Sequence, residues 1–276
     1  MSDIKVGKLY IVGLPIGNLE DISLRVKNTL EEVDVIASED TRDAKKILSY
    51  LDIKSQLVSY HDHSDGKKIN ELISYLRKGK SIALISDSGM PLISDPGFKL
   101  VREAIDCEII VTVIPGPCAA IAALASSGLP TDRFIFEGFF SKKISNKESL
   151  FYEKRTIIFY ESVHRIKETI KELIKIFGPE RKAVVSRELT KIYESIYRGT
   201  LLEIMDKLER GLLIKKGEFV ILVSGSEKEL SSNDSEIIRI YNILNKNLSS
   251  SESINLTSKI TRNSRNYIYR LMRVRD

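Results

Sequence analysis

The sequence predicts an α/β protein, with a first domain built on a parallel β-sheet under covering helices, a mixed second domain, and a small helical C-terminal appendage. Strand and helix signals alternate without interruption through residues 1–115. Parallel strands need such helical crossovers, so alternation implies a covered parallel sheet. Strand signals then outnumber helical ones from Arg133 to Val223, and only helical spacing remains after Ser235. These changes set the expected domains at 1–115, 116–226 and 235–276.

The elements follow in order. Lys8–Val12 is an apolar strand broken by Gly13, and Ile22, Val26, Leu30 and Val33 recur at helical spacing. Val33–Ala37 is a second strand, Thr41–Leu51 a helix, Leu57–Tyr60 a third strand, and Lys67–Arg77 a helix ended near Gly79. Ser81–Ile85 is a fully apolar strand. Asp95-Pro96 is an expected helix start, an acid that can cap followed by a proline whose missing N–H costs nothing in the first turn. Phe98–Ile105 continues that helix, Ile109–Ile114 is a strand, and Cys118–Ser126 is an Ala-rich helix ended by Gly128. Arg133–Phe140, Thr156–Tyr160, Lys182–Arg187, Ser195–Arg198 and Phe219–Val223 read as strands, with helices at His164–Phe177 and Leu201–Leu208. Gly225–Asp234 is a polar linker, and Ser235–Leu248 and Leu256–Val274 are the helices of the appendage.

Composition narrows the function class. Two cysteines without a CxxC pair, and three histidines, argue against a disulfide scaffold or a metal site. No apolar run reaches the roughly 18 residues of a membrane span, and Met1-Ser-Asp-Ile-Lys5 lacks signal-peptide character, so a cytoplasmic protein is expected. Net charge is +5, and residues 251–276 hold six Lys/Arg against two acids. That local excess suits a polyanionic partner. The sequence has no GxxxxGK[ST], GxGxxG, GxSxG or HExxH, which removes the common nucleotide-binding, hydrolase and metalloprotease signatures.

Three segments stand out because each directly follows a strand, where open α/β sheets bind ligands. Gly13-Leu-Pro-Ile-Gly-Asn18 reads as a ligand loop or a plain turn. Pro115-Gly-Pro-Cys-Ala-Ala120 reads as a loop admitting close approach or as tight helix packing. Ser86-Asp-Ser-Gly-Met-Pro-Leu-Ile-Ser-Asp-Pro-Gly97 is the strongest, since a simple connection needs only about four to six residues. Ser38-Glu-Asp-Thr-Arg42 offers acids and an arginine, or a helix cap with a first-turn ion pair. Glu161-Ser-Val-His-Arg165 and Ser186-Arg-Glu-Leu-Thr-Lys191 carry arginines suited to phosphate. His164 reads as a switchable base or a helix-start residue, and His61 and His63 as solvated. In Thr257–Met272, Ile260, Tyr267, Ile268 and Leu271 form an expected packed face. Arg262, Arg265, Arg270 and Arg273 then point outward, a helix-turn-helix-like fragment or a solvated helix face.

Together these segments resemble the ribosomal RNA small subunit methyltransferase I family of the tetrapyrrole methylase superfamily. Leu9–Val12 and Pro15–Ile22, then Ser38–Arg42, Ser86–Gly97, Pro115–Ile121, Ser127–Phe134, Phe159–Ser162 with His164-Arg165, Arg187–Lys191 and Gly217–Val220 match in order. The SDxGxPLISDPG and SGLPTDRF segments are specific to this branch. The resemblance implies two α/β domains of tetrapyrrole-methylase type with S-adenosylmethionine in the cleft between them. It also implies a homodimer, and 2′-O-methylation of a cytidine ribose in 16S rRNA of the small ribosomal subunit. By position, the cofactor contacts are Leu14, Pro15, Asp87, Gly89, Met90, Pro91, Ile93, Ser94, Cys118, Ala119, Tyr160 and Gly217. Glu39, Asp40 and Glu161 are candidate proton acceptors, and Arg42, Lys142, Lys143, Arg165, Arg187, Arg262 and Arg265 candidate RNA contacts. The sequence departs from the family where Met90 replaces a usual threonine, Cys118 a usual serine and Gly13-Leu14 a usual Ala-Thr, so hydroxyl hydrogen bonds are lost there while backbone groups remain. The alternatives are a small-molecule methylase and a non-catalytic RNA-binding protein.

Overall fold

The computed structural model describes residues 7–61, 66–141, 150–226 and 232–273. The chain forms two units, one of residues 1–122 with 188–194, the other of 123–187 with 195–276. They part at Ala122/Ala123, whereas the sequence places the boundary at 115/116.

In the first unit the elements are β1 (Lys8–Val12), α1 (Leu24–Glu32), β2 (Val35–Ser38), α2 (Thr41–Tyr50), β3 (Gln56–Ser59), α3 (Gly66–Arg77), β4 (Ile82–Ile85), α4 (Phe98–Asp106) and β5 (Ile110–Ile114), followed by α5 (Ala119–Ser127), which runs across the division. The five strands pair in parallel in the order β3-β2-β4-β1-β5. Right-handed crossovers then dictate which face each helix covers. The chain moves one way along the sheet from β1 to β3 and the other way from β3 to β5, so α1 and α2 cover one face and α3 and α4 the other. The two cores agree: Val26, Leu30, Ala44 and Leu48 pack on one face, and Leu72, Leu76, Leu100 and Ala104 on the other. Strands β2 and β4 are buried at every position, which explains the apolar runs Val35–Ala37 and Ile82–Ile85. The connections after adjacent strands β1 and β4 leave in opposite directions, and such a switch point opens a crevice at the carboxyl ends of the strands.

The expected start of α4 needs correction. Gly97, not Asp95, is the N-cap, and it makes no side-chain cap. Gly97 takes φ 140°, and a Cβ there would lie 2.8 Å from Leu84 Cδ2, so tight packing on β4 rather than an acid sets this end.

The second unit contains β6 (Phe134–Phe139), β7 (Thr156–Glu161), α6 (Ile166–Phe177), β8 (Lys182–Arg187), β9 (Ser195–Thr200), α7 (Leu201–Glu209) and β10 (Phe219–Val223). Its sheet has the order β6-β7-β10-β8-β9; β6 and β7 are parallel and the other pairs antiparallel. Ile170, Leu173, Leu201 and Leu208 from α6 and α7 pack with Ile157, Phe159, Val185 and Ile221 from the sheet. Helix α7 begins with a capping box in which Thr200 and Glu203 bond each other's backbone N–H.

The appendage has three helices, α8 (Ser232–Leu244), α9 (Ser250–Thr261) and α10 (Arg265–Arg273), around Ile237, Tyr241, Ile268 and Met272. The single helix expected over Leu256–Val274 is therefore two helices. Arg262 adopts a left-handed conformation at the end of α9, Ser258 Oγ donates to the Asn263 carbonyl, and Ser264 Oγ accepts from the Tyr267 N–H. Short polar side chains supply the cap without glycine or proline. The expected packed face is corrected too. Ile268 is buried and Leu271 packs beside it, but Ile260 is exposed, and Tyr267 is exposed with its hydroxyl donating to Asp234.

Candidate functional site

Three loops converge at the carboxyl ends of β1, β4 and β5 in the first unit. The Leu14 N–H donates to the Gly89 carbonyl at 2.8 Å, and the Gly89 N–H returns a bond to the Pro15 carbonyl at 3.3 Å. This reciprocal pair locks the first loop to the 86–97 loop. The Gly13 N–H donates to the Ile114 carbonyl at 3.0 Å, joining the first loop to the end of β5. The Gly116 N–H donates to Met90 Sδ at 3.3 Å, which closes the triangle. Gly13 and Gly116 meet backbone to backbone: a Cβ on Gly116 would lie 2.7 Å from the Gly13 carbonyl oxygen. Met90 thus uses its sulfur as a weak acceptor and fills the notch beside both glycines.

The 86–97 loop is wound tightly. Ser86 is buried and its Oγ donates to the Ser88 carbonyl at 3.0 Å. Gly89, Leu92 and Ser94 all have positive φ, near 70°. For Leu92 and Ser94 that conformation costs free energy, and strained backbone of this kind clusters at functional sites. Pro91 is buried, whereas Asp87, Ile93 and Ser94 are exposed. Leu14 and Pro15 are buried, so their contribution to a ligand is shape and backbone rather than side-chain reach. Cys118 and Ala119 are half-buried at the start of α5.

Carboxylates gather beside these loops. Asp87 Oδ1 accepts from the Asp40 N–H at 3.1 Å, tying the 86–97 loop to the end of β2. Burial pushes the Asp95 carboxyl up to about 6, a hydrogen bond from Ser86 opposes the rise, and the charges of Glu39 and Asp87 add to it. Asp95 was expected only as a helix cap; its part in this cluster depends on strands β2 and β4 lying side by side, which its local sequence does not encode.

The candidate proton acceptors differ in their freedom. Asp40 caps α2 and is gripped by Arg42, whose Nε and Nη2 reach both its oxygens, and these bonds hold its carboxyl well below the usual carboxylate range. Glu161 is buried; the Thr169 hydroxyl and the Ser162 N–H donate to it and Arg165 lies 3.8 Å away, so it anchors the turn into α6. Glu39 is half-buried and makes no hydrogen bond or ion pair among the described residues.

Most of the remaining candidates belong to the second unit. Tyr160 is half-buried on β7 of the second unit, with the rings of Phe136 and Phe139 edge-on at 4.8 and 5.8 Å. Gly217, φ 87°, precedes β10. Arg42, Arg262 and Arg265 are exposed, as is His164. Arg165 is exposed and donates to the Phe140 carbonyl at 2.6 Å. Arg187 needs correction as a phosphate contact: it is 5% exposed, and its Nε donates to the Lys216 carbonyl at 2.6 Å, so it braces the second unit instead. Lys142, Lys143 and His63 lie outside the described residues. Among the described residues no His, Cys, Asp and Glu side chains group as metal ligands, and no helix is long and apolar enough to cross a membrane.

Comparison with known proteins fits this geometry. Residues 8–205 match the family described as Tetrapyrrole (Corrin/Porphyrin) Methylases. A ribosomal RNA small subunit methyltransferase I from Xylella fastidiosa is 44% identical over 95% of this chain and 98% of its own length. The protein of that name from Escherichia coli O157:H7 is 38% identical over 98% and 96%. Among solved structures, a cobalt precorrin-4 methyltransferase superposes with a TM-score of 0.60 at 20% identity, covering 79% of this chain and 94% of that one. A uroporphyrin-III C-methyltransferase from Thermus thermophilus, complexed with S-adenosylhomocysteine, gives 0.56 at 20% identity, covering 78% and 97%.

Proposed function

Since the chain belongs to the tetrapyrrole methylase family and to its ribosomal RNA small subunit methyltransferase I branch, we propose that it is an S-adenosylmethionine-dependent methyltransferase acting on the 2′-hydroxyl of a cytidine ribose in 16S rRNA. One observation carries the reading: three strand-end loops interlocked at the sheet's switch point through Gly13, Gly89, Met90 and Gly116. Interlocked backbone beside a cluster of carboxylates fits a cationic ligand that also offers amine and hydroxyl donors. S-adenosylmethionine is such a ligand, and it supplies a methyl group on a sulfonium that is already a good leaving group.

The residues assigned to it here are Leu14, Pro15, Asp87, Gly89, Met90, Pro91, Ile93, Ser94, Cys118 and Ala119. Tyr160 and Gly217, in the second unit, are assigned on their places in the matched motifs alone. The chain's main task is alignment, which supplies several kcal/mol in transfer reactions. Of the three acidic candidates, Glu39 is the one whose carboxylate is not already committed to a cap or a buried anchor, and we assign it the proton of the ribose hydroxyl. Arg42, Arg165, Arg262 and Arg265, together with Lys142 and Lys143, are the proposed phosphate contacts. RNA is favoured over a small tetrapyrrole by the exposed arginines of the appendage.

The cytoplasm is the proposed compartment and a homodimer the proposed state. The edge strand β5 exposes Ile110 and Val113, 56% and 53%, and α5 exposes Ile121. An apolar sheet edge of this kind is ordinarily covered, here by a second copy. Calorimetry on the purified protein is expected to give a micromolar or tighter dissociation constant for S-adenosylmethionine, with sedimentation of the same sample at twice the 31.3 kDa chain mass. Absence of binding would leave the non-catalytic RNA-binding alternative in its place.

A further inference from the structure

The connection from β8 to β9, residues 188–194, belongs by its packing to the first unit. It carries several costs in seven residues. Glu188 and Thr190 both take left-handed backbone, φ 52° and 66°, which β-branched Thr190 adopts with particular difficulty. Thr190 Oγ1 is buried without a hydrogen-bond partner among the described residues. A buried hydroxyl left unpaired is unfavourable. Beyond it, consecutive Ile192 and Tyr193 are 91% and 71% exposed.

The loop is nonetheless held firmly. Lys191 Nζ donates to Glu188 Oε1 at 2.9 Å, and the Thr190 N–H donates to Glu194 Oε2 at 2.7 Å. The Lys191 N–H reaches the Glu188 carbonyl and the Glu194 N–H the Lys191 carbonyl, each at 3.0 Å, which fixes two successive turns. The Lys191 methylenes lie against Gly17, where a Cβ would come within 2.4 Å of Cγ. Gly17 belongs to the same 13–18 loop that interlocks with Gly89 and Gly116. The braced turn that carries Tyr193 therefore touches one of the proposed cofactor loops through Lys191.

We propose that Tyr193, flanked by Ile192, is a stacking platform for a nucleobase of the RNA substrate. The inference rests on the RNA-methyltransferase reading above. RNA is read through unstacked bases laid on aromatic side chains, and a ribose hydroxyl becomes accessible when its nucleotide is splayed from its neighbours. A ring on a rigid turn receives such a base without first having to be ordered, whereas an exposed ring on a floppy loop would lose freedom on binding.

The test uses the full-length protein with small ribosomal subunits from a strain lacking it. Tyr193→Ala is expected to raise KM for the subunits about tenfold or more, while Tyr193→Phe, which keeps the ring, stays within twofold of wild type. The S-adenosylmethionine dissociation constant stays unchanged in both, and so does the slope of RNA binding against salt, because no charge is removed. An unchanged KM in Tyr193→Ala overturns the proposal. So does a loss accompanied by a fall in oligomeric mass, which would assign the ring to an interface between copies. A wild-type protein that methylates no RNA would instead refute the function on which the inference rests.

Discussion

Gly116→Ala is expected to abolish S-adenosylmethionine binding and to destabilise the first unit by about 3 kcal/mol. The added Cβ would lie 2.7 Å from the carbonyl carbon and oxygen of Gly13 and 2.8 Å from its Cα. Those are backbone atoms at the end of β1, with no flexible side chain to swing away. Ordinary contact begins near 3.4 Å, so the loops must part by roughly 0.7 Å, the difference from 2.7 Å. That movement pulls on the Gly13 bond to the Ile114 carbonyl and the Gly116 bond to Met90 together. Affinity for the cofactor is expected to fall at least about a hundredfold, since displacements near 1 Å in a site cost that much. Gly66→Ala is the control, because a Cβ there meets nothing within 4 Å. Calorimetry and thermal melting read both effects, and wild-type binding by Gly116→Ala would disprove the interlocked-loop arrangement.

Asp95 gives the second large effect, and its direction follows from its raised carboxyl. The folded protein holds the Asp95 proton up to about pH 6, against 3.8 for the ordinary side chain. Its contribution to stability is therefore present below about pH 4 and lost as pH rises through 6. At pH 7.5 the ionised group is a liability, so Asp95→Asn should be more stable than wild type by about 1–2 kcal/mol, after discounting for partial exposure. At pH 4 the two proteins should melt alike. Ligand binding runs the other way. A cationic ligand prefers the ionised carboxylate, so wild-type affinity for S-adenosylmethionine should strengthen as pH rises through 6, while that of Asp95→Asn stays flat. Melting curves and binding isotherms from pH 4 to 8 check both, and an Asp95→Asn protein less stable than wild type at pH 7.5 would refute the desolvated, acid-crowded setting of Asp95.

Much of this could be read in the sequence because it is local. Apolar runs four to six residues long, each followed by helical spacing, suffice to place β1, β2, β4 and β5, and position after a strand singled out the 13–18, 86–97 and 115–120 segments. What escaped is set by distant neighbours. Asp95-Pro96 has the local form of a helix cap, yet Gly97 takes that place because Leu84 of β4 leaves no room for a Cβ. Arg187 looks like a phosphate ligand until the Lys216 carbonyl, 29 residues on, is found to occupy it. The break at Arg262 has no glycine or proline to announce it and depends on hydroxyl and amide side chains closing on backbone carbonyls. The part Met90 plays is likewise not local, since its sulfur accepts from the Gly116 N–H, 26 residues on.

The most direct test of the proposed reaction is a map of 2′-O-methyl groups in 16S rRNA from a strain lacking this protein. Loss of a single cytidine 2′-O-methyl is expected, restored by the wild-type gene and not by the Gly116→Ala form. An unchanged map in the deletion strain would contradict the proposed function outright.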